Sequence, residues 1–275
     1  MARAARRCQT WSVLEPLVRL RNVSYAYPEG QELIFQGLDL ELPRGAVSFV
    51  GQNGTGKSTL LLLASGIAQP TDGVVYLDDV DTAQLRDEAV RQRHVSLIHQ
   101  NMEFETEEPI GQLLTFVLGN GFHPRREEES FARSLIGDLV DLLELAPILD
   151  KRTGEVSKGE LQRTLIAFCV LYGSRALMMD EPVFALEEQQ KHAVMAYLQD
   201  YTARNGLSWY YSVHELELSA AYSESCVLFD KGGMPTVGSA DELHQRETIE
   251  SAYEVPYDFL KRREALYRQA LRGEL

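Results

Sequence analysis

Cysteine is scarce, with Cys8, Cys169 and Cys226 the only three in 275 residues. An odd number without metal-ligand spacing argues against a disulfide framework and fits a reducing compartment. Long apolar runs are also missing. The most apolar stretches, Leu60 to Ala64 and Leu165 to Tyr172, fall far short of the roughly 20 residues that span a bilayer. A soluble chain without direct membrane insertion is expected. Positive charge is in deficit: 27 basic residues against 41 acidic ones give a formal net charge of −14. The summed field repels nucleic acid and anionic lipid, so neither is an expected partner. The basic cluster Arg3, Arg6 and Arg7 leads into no apolar run, because Gln9, Thr10 and Ser12 interrupt it. No signal peptide is read there, and residues 1–16 are expected to be a loosely attached tail.

What is present has an α/β rhythm, in a chain whose 44% hydrophobic content suits one large domain with a small inserted lobe. Leu17 to Tyr27 alternates apolar and polar positions, and Leu38, Leu40 and Leu42 repeat the pattern, which predicts an antiparallel β lobe. Val47 to Val50 is a short strand pattern that runs into a glycine-rich loop, and a helix is expected from Thr59 to Ala68. Val74 to Leu77 and Val95 to Ile98 read as further strands. From Met102 to about Gly159 the spacing turns helical. Strand, helix and strand then return at Ala176 to Met179, Leu186 to about Ala203, and Leu207 to Val213, which predicts parallel strands covered on both faces. Beyond Gly238 the chain is charged and helical in period.

The glycine-rich loop is Gly51-Gln52-Asn53-Gly54-Thr55-Gly56-Lys57-Ser58, a P-loop between a strand and a helix. Gly51, Gly54 and Gly56 allow close approach of the backbone, so that successive N–H groups point at phosphates. Lys57 brings a cation to the β and γ phosphates. Ser58 offers a hydroxyl to Mg²⁺, and the helix that continues through Thr59 presents its positive end to the same anion. Asn53 and Thr55 complete the phosphate loop. Asp180 and Glu181 end a buried strand. There Asp180 can orient the metal and Glu181 can polarise an attacking water as general base.

From about Leu17 to Lys231 the sequence resembles the ATP-binding cassette family, on six landmarks in the family's order. Tyr27 stands where the family stacks an aromatic ring on adenine, with Tyr25 as the fallback. Gln100 matches the glutamine that touches Mg²⁺ and the lytic water. Val156-Ser157-Lys158-Gly159-Glu160-Leu161-Gln162-Arg163 resembles the signature motif, in which Ser157, Gly159 and Glu160 would meet the nucleotide. Asp180 and Glu181 match the metal and base carboxylates. Ala185-Leu186-Glu187 stands where the dimer-spanning loop would be, and His214 at the switch histidine. The sequence departs from the pattern at Lys158, Glu160, Phe184 and Glu187.

The resemblance implies a P-loop NTPase with a RecA-like parallel sheet core, an N-terminal antiparallel β lobe and an inserted helical subdomain at about 102–165. The ATPase domain would cover 17–238, and a helical tail 239–275. ATP is the implied substrate and Mg²⁺ the implied cofactor. The catalytic set would be Glu181, His214 and Gln100, and the metal contacts Ser58, Gln100 and Asp180. Two copies would sandwich ATP head to tail and drive transmembrane permease subunits, which would hold the cytoplasmic chain against the inner face of the membrane. Pro109 to Asn120, Asp241-Glu242-Leu243 and Ala252 to Pro256 look like the ATPases of siderophore, haem and cobalamin importers. A non-transport regulatory or scaffold cassette is the alternative. A P-loop kinase would have no use for Ser157 to Arg163.

Overall fold

The computed structural model describes residues 16–271 apart from 29, 31, 100, 101, 103 and 233. Val18, Leu20, Val23 and Tyr25 of β1 (Val18–Tyr25) are buried, the alternation slipping by one where the register shifts between Leu20 and Val23, and the strand pairs antiparallel with β2 (Phe35–Leu42). All five residues of β3 (Ala46–Val50) are buried, and the glycine loop joins it to α1 (Lys57–Ala64). The chain then returns to the first lobe. β4 (Asp72–Leu77) pairs antiparallel with β1 and with β5 (Val80–Asp81), giving a four-stranded sheet of order β2-β1-β4-β5. Gly73 makes this pairing possible: at φ +83°, a Cβ there would come within 2.2 Å of the Asn22 carbonyl oxygen.

The second sheet collects β6 (Val95–Ile98), which α2 (Glu88–His94) precedes. Three helices follow, α3 (Ile110–Asn120), α4 (Glu129–Leu142) and α5 (Lys158–Tyr172). Then come β7 (Ala176–Met179), α6 (Glu188–Asn205), β8 (Ser208–Ser212), α7 (Leu216–Tyr222), β9 (Ser225–Phe229) and β10 (Pro235–Ser239). Their order is β10-β9-β3-β8-β7-β6, with every neighbouring pair parallel except β10 with β9. The C-terminal ends of β3, β8 and β7 therefore lie side by side at one edge, where open α/β sheets bind ligands.

Burial on both faces of this sheet follows the two-residue period of its strands. Ala176, Met178 and Tyr210 pack with Phe49, Leu60 and the antiparallel lobe. Leu177, Met179, Trp209 and Tyr211 face the opposite core with α3, α5 and α6. That second core also takes Ile249, Ala252, Tyr253 and Leu260 from the C-terminal helices, α8 (Ala240–Leu243), α9 (Arg246–Tyr253) and α10 (Tyr257–Leu271). Among the described residues, no helix is long and apolar enough to cross a membrane.

The structure differs from the sequence expectations in several places. The helix expected from Thr59 to Ala68 starts at Lys57, because the glycine loop already turns the backbone into it, and it ends at Ala64 ahead of the left-handed Gly66, φ +77°. α5 passes unbroken through residue 165, the expected end of the helical segment, and stops at Gly173, φ +77°. A Cβ at Gly173 would meet the His123 nitrogen at 2.3 Å, so this stop is also a packing requirement. Strands β9 and β10 and helices α2 and α7 are additions to the elements read from sequence.

Candidate functional site

The glycine loop is shaped by close neighbours. A Cβ on Gly51, φ +156°, would lie 2.7 Å from the Phe229 Cβ, and one on Gly56, φ +100°, would lie 2.8 Å from the Phe35 ring. Glycine is therefore required at both ends of the turn. Lys57 is folded back along the loop, donating from Nζ to the carbonyls of Gly51 and Gln52 at 2.8 Å each. Thr55 Oγ1 donates to the Gln52 carbonyl at 2.8 Å. Burial pulls the Lys57 ammonium below its usual pKa, while the charges of Glu181 and Asp180 act in the opposite sense. That mutual field places the cation and both carboxylates in one neighbourhood. Asn53, Gly54 and Ser58 are exposed, and Thr59 is buried with its Oγ1 2.9 Å from the Tyr27 hydroxyl. The Tyr27 ring packs edge-on to Tyr25 with centroids 5.2 Å apart and remains partly open to solvent.

The carboxylates sit just past β7. The Asp180 N–H donates to the Ile98 carbonyl at 2.8 Å, anchoring its main chain to β6. Ser212, the last residue of β8, donates its hydroxyl to Asp180 Oδ1 and accepts from the Glu181 N–H at 2.9 Å. Glu181 has φ +51°, a left-handed backbone that is uncommon for a residue with a Cβ. Its Oε1 is 2.6 Å from His214 Nε2. Next to His214, Glu215 pairs with Lys191 of α6, a lysine only 2% exposed.

A cavity of about 550 Å³ brings Gly51, Gln52, Asn53, Glu181 and His214 together. Phe184, which is exposed, and Arg263 and Glu264 of α10 line it as well. The tail reaches the loop directly: Gln52 Nε2 donates to the Tyr253 carbonyl at 2.6 Å. Glu264 Oε1 accepts from the Leu216 N–H at 3.0 Å, two residues beyond His214.

Tyr27, Lys57, Ser58 and Asp180 are not among the residues that line this cavity, and neither are Ser157, Gly159 and Glu160. These last three form the start of α5, where the Ser157 hydroxyl accepts from the Glu160 N–H at 3.3 Å and the Glu160 carboxylate accepts from the Ser157 N–H at 2.7 Å. This reciprocal cap explains why a glutamate serves at that position. It also holds the Glu160 carboxyl below its usual pKa. Gln162 Nε2 lies 3.4 Å from the Pro182 carbonyl, linking α5 to the loop after Glu181. Glu187 caps α6 through its backbone. Gln100 lies outside the described residues.

Sequence reasoning missed Ser212, Lys191, Glu215, Gln52 as a side chain, and Tyr253. The apolar run Cys226 to Phe229 before Asp230-Lys231-Gly232-Gly233 was a readable signal for β9. No local signal marked these five residues, because their partners are distant in sequence.

A family model described as ABC transporter matches residues 35–184. The chain is 25% identical over 236 residues to the sulfate/thiosulfate import ATP-binding protein CysA 1 of Rhizobium meliloti, covering 86% of this chain and 67% of that relative. It is 23% identical to the Fe(3+) ions import ATP-binding protein FbpC of Photorhabdus laumondii, with 85% and 64% covered. Identity to the phosphonates import ATP-binding protein PhnC 2 of a Synechococcus species is 28%, with 77% and 81% covered. The chain thus spans about two thirds of the length of the first two relatives. Among solved structures, the ATP-binding subunit of an ABC transporter superposes with TM-score 0.72 at 21% identity, over 89% of this chain and 98% of that one. A dimeric cassette in a post-hydrolysis state with ADP and Pi superposes with TM-score 0.69 at 21% identity, over 81% and 98%. These structural likenesses carry the fold, and the family model covers more than half of the 275 residues: the chain belongs to the ABC transporter family and has its P-loop ATPase fold.

Proposed function

We propose that the chain binds and hydrolyses ATP as the motor subunit of a membrane importer. The observation that carries this reading is the contact of Glu181 with His214 at the strand edge that also bears the glycine loop. Water adds to the γ-phosphorus as the bond to the β-phosphate oxygen breaks, and Glu181 accepts the proton of that water. His214 orients Glu181 and faces the departing phosphate. Lys57 neutralises phosphate charge, and Tyr27 stacks on the base. Ser58 and Asp180 are hard oxygen donors of the kind Mg²⁺ selects. Among the described residues there is no group of three or more His, Cys, Asp or Glu that could hold a metal. Mg²⁺ there supplies charge neutralisation, and Gln100 is assigned to the same ion.

Ser157, Gly159 and Glu160 at the start of α5 are assigned to a second copy on the family resemblance, so that two chains complete each other's sites in a head-to-tail pair. A groove of about 440 Å³ lined by Leu97, Phe104, Leu113, Phe116, Val117 and Phe168 lies between β6 and the helical segment. Its apolar lining, with Phe116 63% exposed, suits a cytoplasmic helix of a permease subunit, which would hold the chain at the inner face of the membrane. The relatives are named for import of sulfate or thiosulfate, Fe(3+) and phosphonates, which supports import as the direction. A siderophore, haem or cobalamin cargo rests on Pro109 to Asn120 and the 241–256 stretch alone.

The test is steady-state ATPase activity of the wild type and Glu181→Gln. A fall of about 10²- to 10⁴-fold in kcat is expected, and an undiminished rate removes Glu181 as base. Copurification with a multi-span membrane protein distinguishes the transporter from a free regulatory cassette.

A further inference from the structure

We infer that Ser212 is a positioning residue of the ATPase site, whose single hydroxyl orients the Asp180 carboxylate and the Glu181 backbone together. The inference rests on the ATPase reading above. A serine hydroxyl has one proton to donate and lone pairs to accept with. Ser212 gives its proton to Asp180 Oδ1 and takes the Glu181 N–H at 2.9 Å. The residue is fully buried, so water cannot replace either bond.

Topology explains why this position has such reach. β7 and β8 are parallel neighbours with Met179 opposite Tyr211, which places Ser212 beside the residues that follow β7. β6 already holds the Asp180 main chain through the Ile98 carbonyl. β8 therefore supplies what β6 does not, a grip on the side chain. Glu181 leaves the strand in a left-handed conformation, φ +51°, and the Ser212 bond to its N–H anchors that turn. The metal contact and the general base are thereby fixed to one atom.

Other buried hydroxyls in this sheet have a different character. Ser48 bonds to Ser219 and Ser223 at 2.6 and 2.9 Å, and Ser96 to Ser174 at 2.6 Å. Those serines join hydroxyl to hydroxyl between packed elements. Ser212 instead serves two carboxylate residues in succession. Partners that orient metal-binding carboxylates typically matter by about 10- to 100-fold in affinity or activity when removed.

The experiment uses the full chain in four forms: wild type, Ser212→Ala, Ser212→Thr and Ser212→Val. Threonine and valine have nearly the same shape and differ in the hydroxyl, so the pair separates the hydroxyl from packing. One readout is the Mg²⁺ dependence of ATPase turnover. The other, independent of turnover, is calorimetric binding of ADP with Mg²⁺ and with EDTA. Alanine and valine are expected to raise the Mg²⁺ half-saturation and lower kcat by about 10- to 100-fold, with KM for ATP at saturating Mg²⁺ unchanged. They are also expected to lose the tightening of ADP binding by Mg²⁺. Threonine keeps both. Equal behaviour of threonine and valine, including failure of both to fold, assigns Ser212 to packing and overturns the inference. If the wild type does not hydrolyse ATP, the ATPase reading fails, and the ADP comparison still judges Ser212.

Discussion

His214 Nε2 and Glu181 Oε1 stand 2.6 Å apart, each two residues beyond the end of its own strand, β8 and β7. The two strands are hydrogen-bonded neighbours, so the sheet sets this distance and the loops do not. A histidine so placed can hold the carboxylate in one orientation while its ring remains partly accessible.

Replacing His214 with alanine removes that hold and leaves the strands intact. The expected outcome is a loss of about 10²- to 10³-fold in kcat with little change in thermal stability. Single-turnover ATPase measurements, with circular dichroism for the fold, check it. A variant at the wild-type rate contradicts the role given to His214.

The left-handed backbone at Glu181 leads to a prediction of opposite sign for stability. A residue with a Cβ in this region costs on the order of 1 kcal/mol, which glycine avoids. Glu181→Gly is expected to match or exceed the wild type in urea stability while losing hydrolysis. A loss of more than about 2 kcal/mol would mean that the Glu181 contacts outweigh its backbone strain.

Burial makes the folded chain sensitive to alkali. It pushes the Tyr201 phenol up to about 12 and raises Tyr210, Tyr211 and Tyr253 further. In the unfolded chain a phenol ionises near 10. Above that pH the unfolded state binds fewer protons than the folded one, so stability falls as pH rises from about 10 to 12. Unfolding free energies from urea titrations between pH 8 and 12 are expected to be level at first and then to drop, by roughly 1.4 kcal/mol per pH unit for each such phenol.

The same burial silences two thiols. Cys169 is pushed up to about 12 and Cys226 to about 11, and both are buried. In a Cys8→Ser background, a disulfide reagent at pH 8 is expected to react slowly with the folded protein and promptly in denaturant. Fast labelling of two thiols in the folded chain would contradict the packing of β9 and α5.

Much of the site was readable because it is written in contiguous stretches. Gly51 to Ser58 specifies its own turn, and Asp180 and Glu181 follow four apolar residues that could only be a buried strand. The expected β lobe and the helical segment after residue 102 also came from periodicity, in spite of the charge-rich break at Pro124 to Glu129. What escaped was encoded by register between strands. Ser212 becomes a partner of Asp180 only once β7 and β8 lie parallel, 32 residues apart in sequence. Gln52 finds Tyr253 across 201 residues. The short α2 and α7 helices have seven residues each, about two turns, too short for periodicity to show.

Leu260 is 3% exposed and packs α10 into the second core. Leu260→Ala is expected to cost about 2–5 kcal/mol, read as a lower urea midpoint. Wild-type stability would show that α10 is not seated as described.

The Gln52 amide resting on the Tyr253 carbonyl has a practical meaning for protein engineers. On the sequence alone the cassette resemblance ends at about Lys231 and a tail is expected from 239, which invites a cut near Ser239 when chimeras are made or tails exchanged among relatives. Such a cut would also take away Tyr253, Arg263 and Glu264, part of the wall of the cavity beside the glycine loop. A transplanted head would arrive with an open side, and its altered grip on ATP would be mistaken for a property of the head.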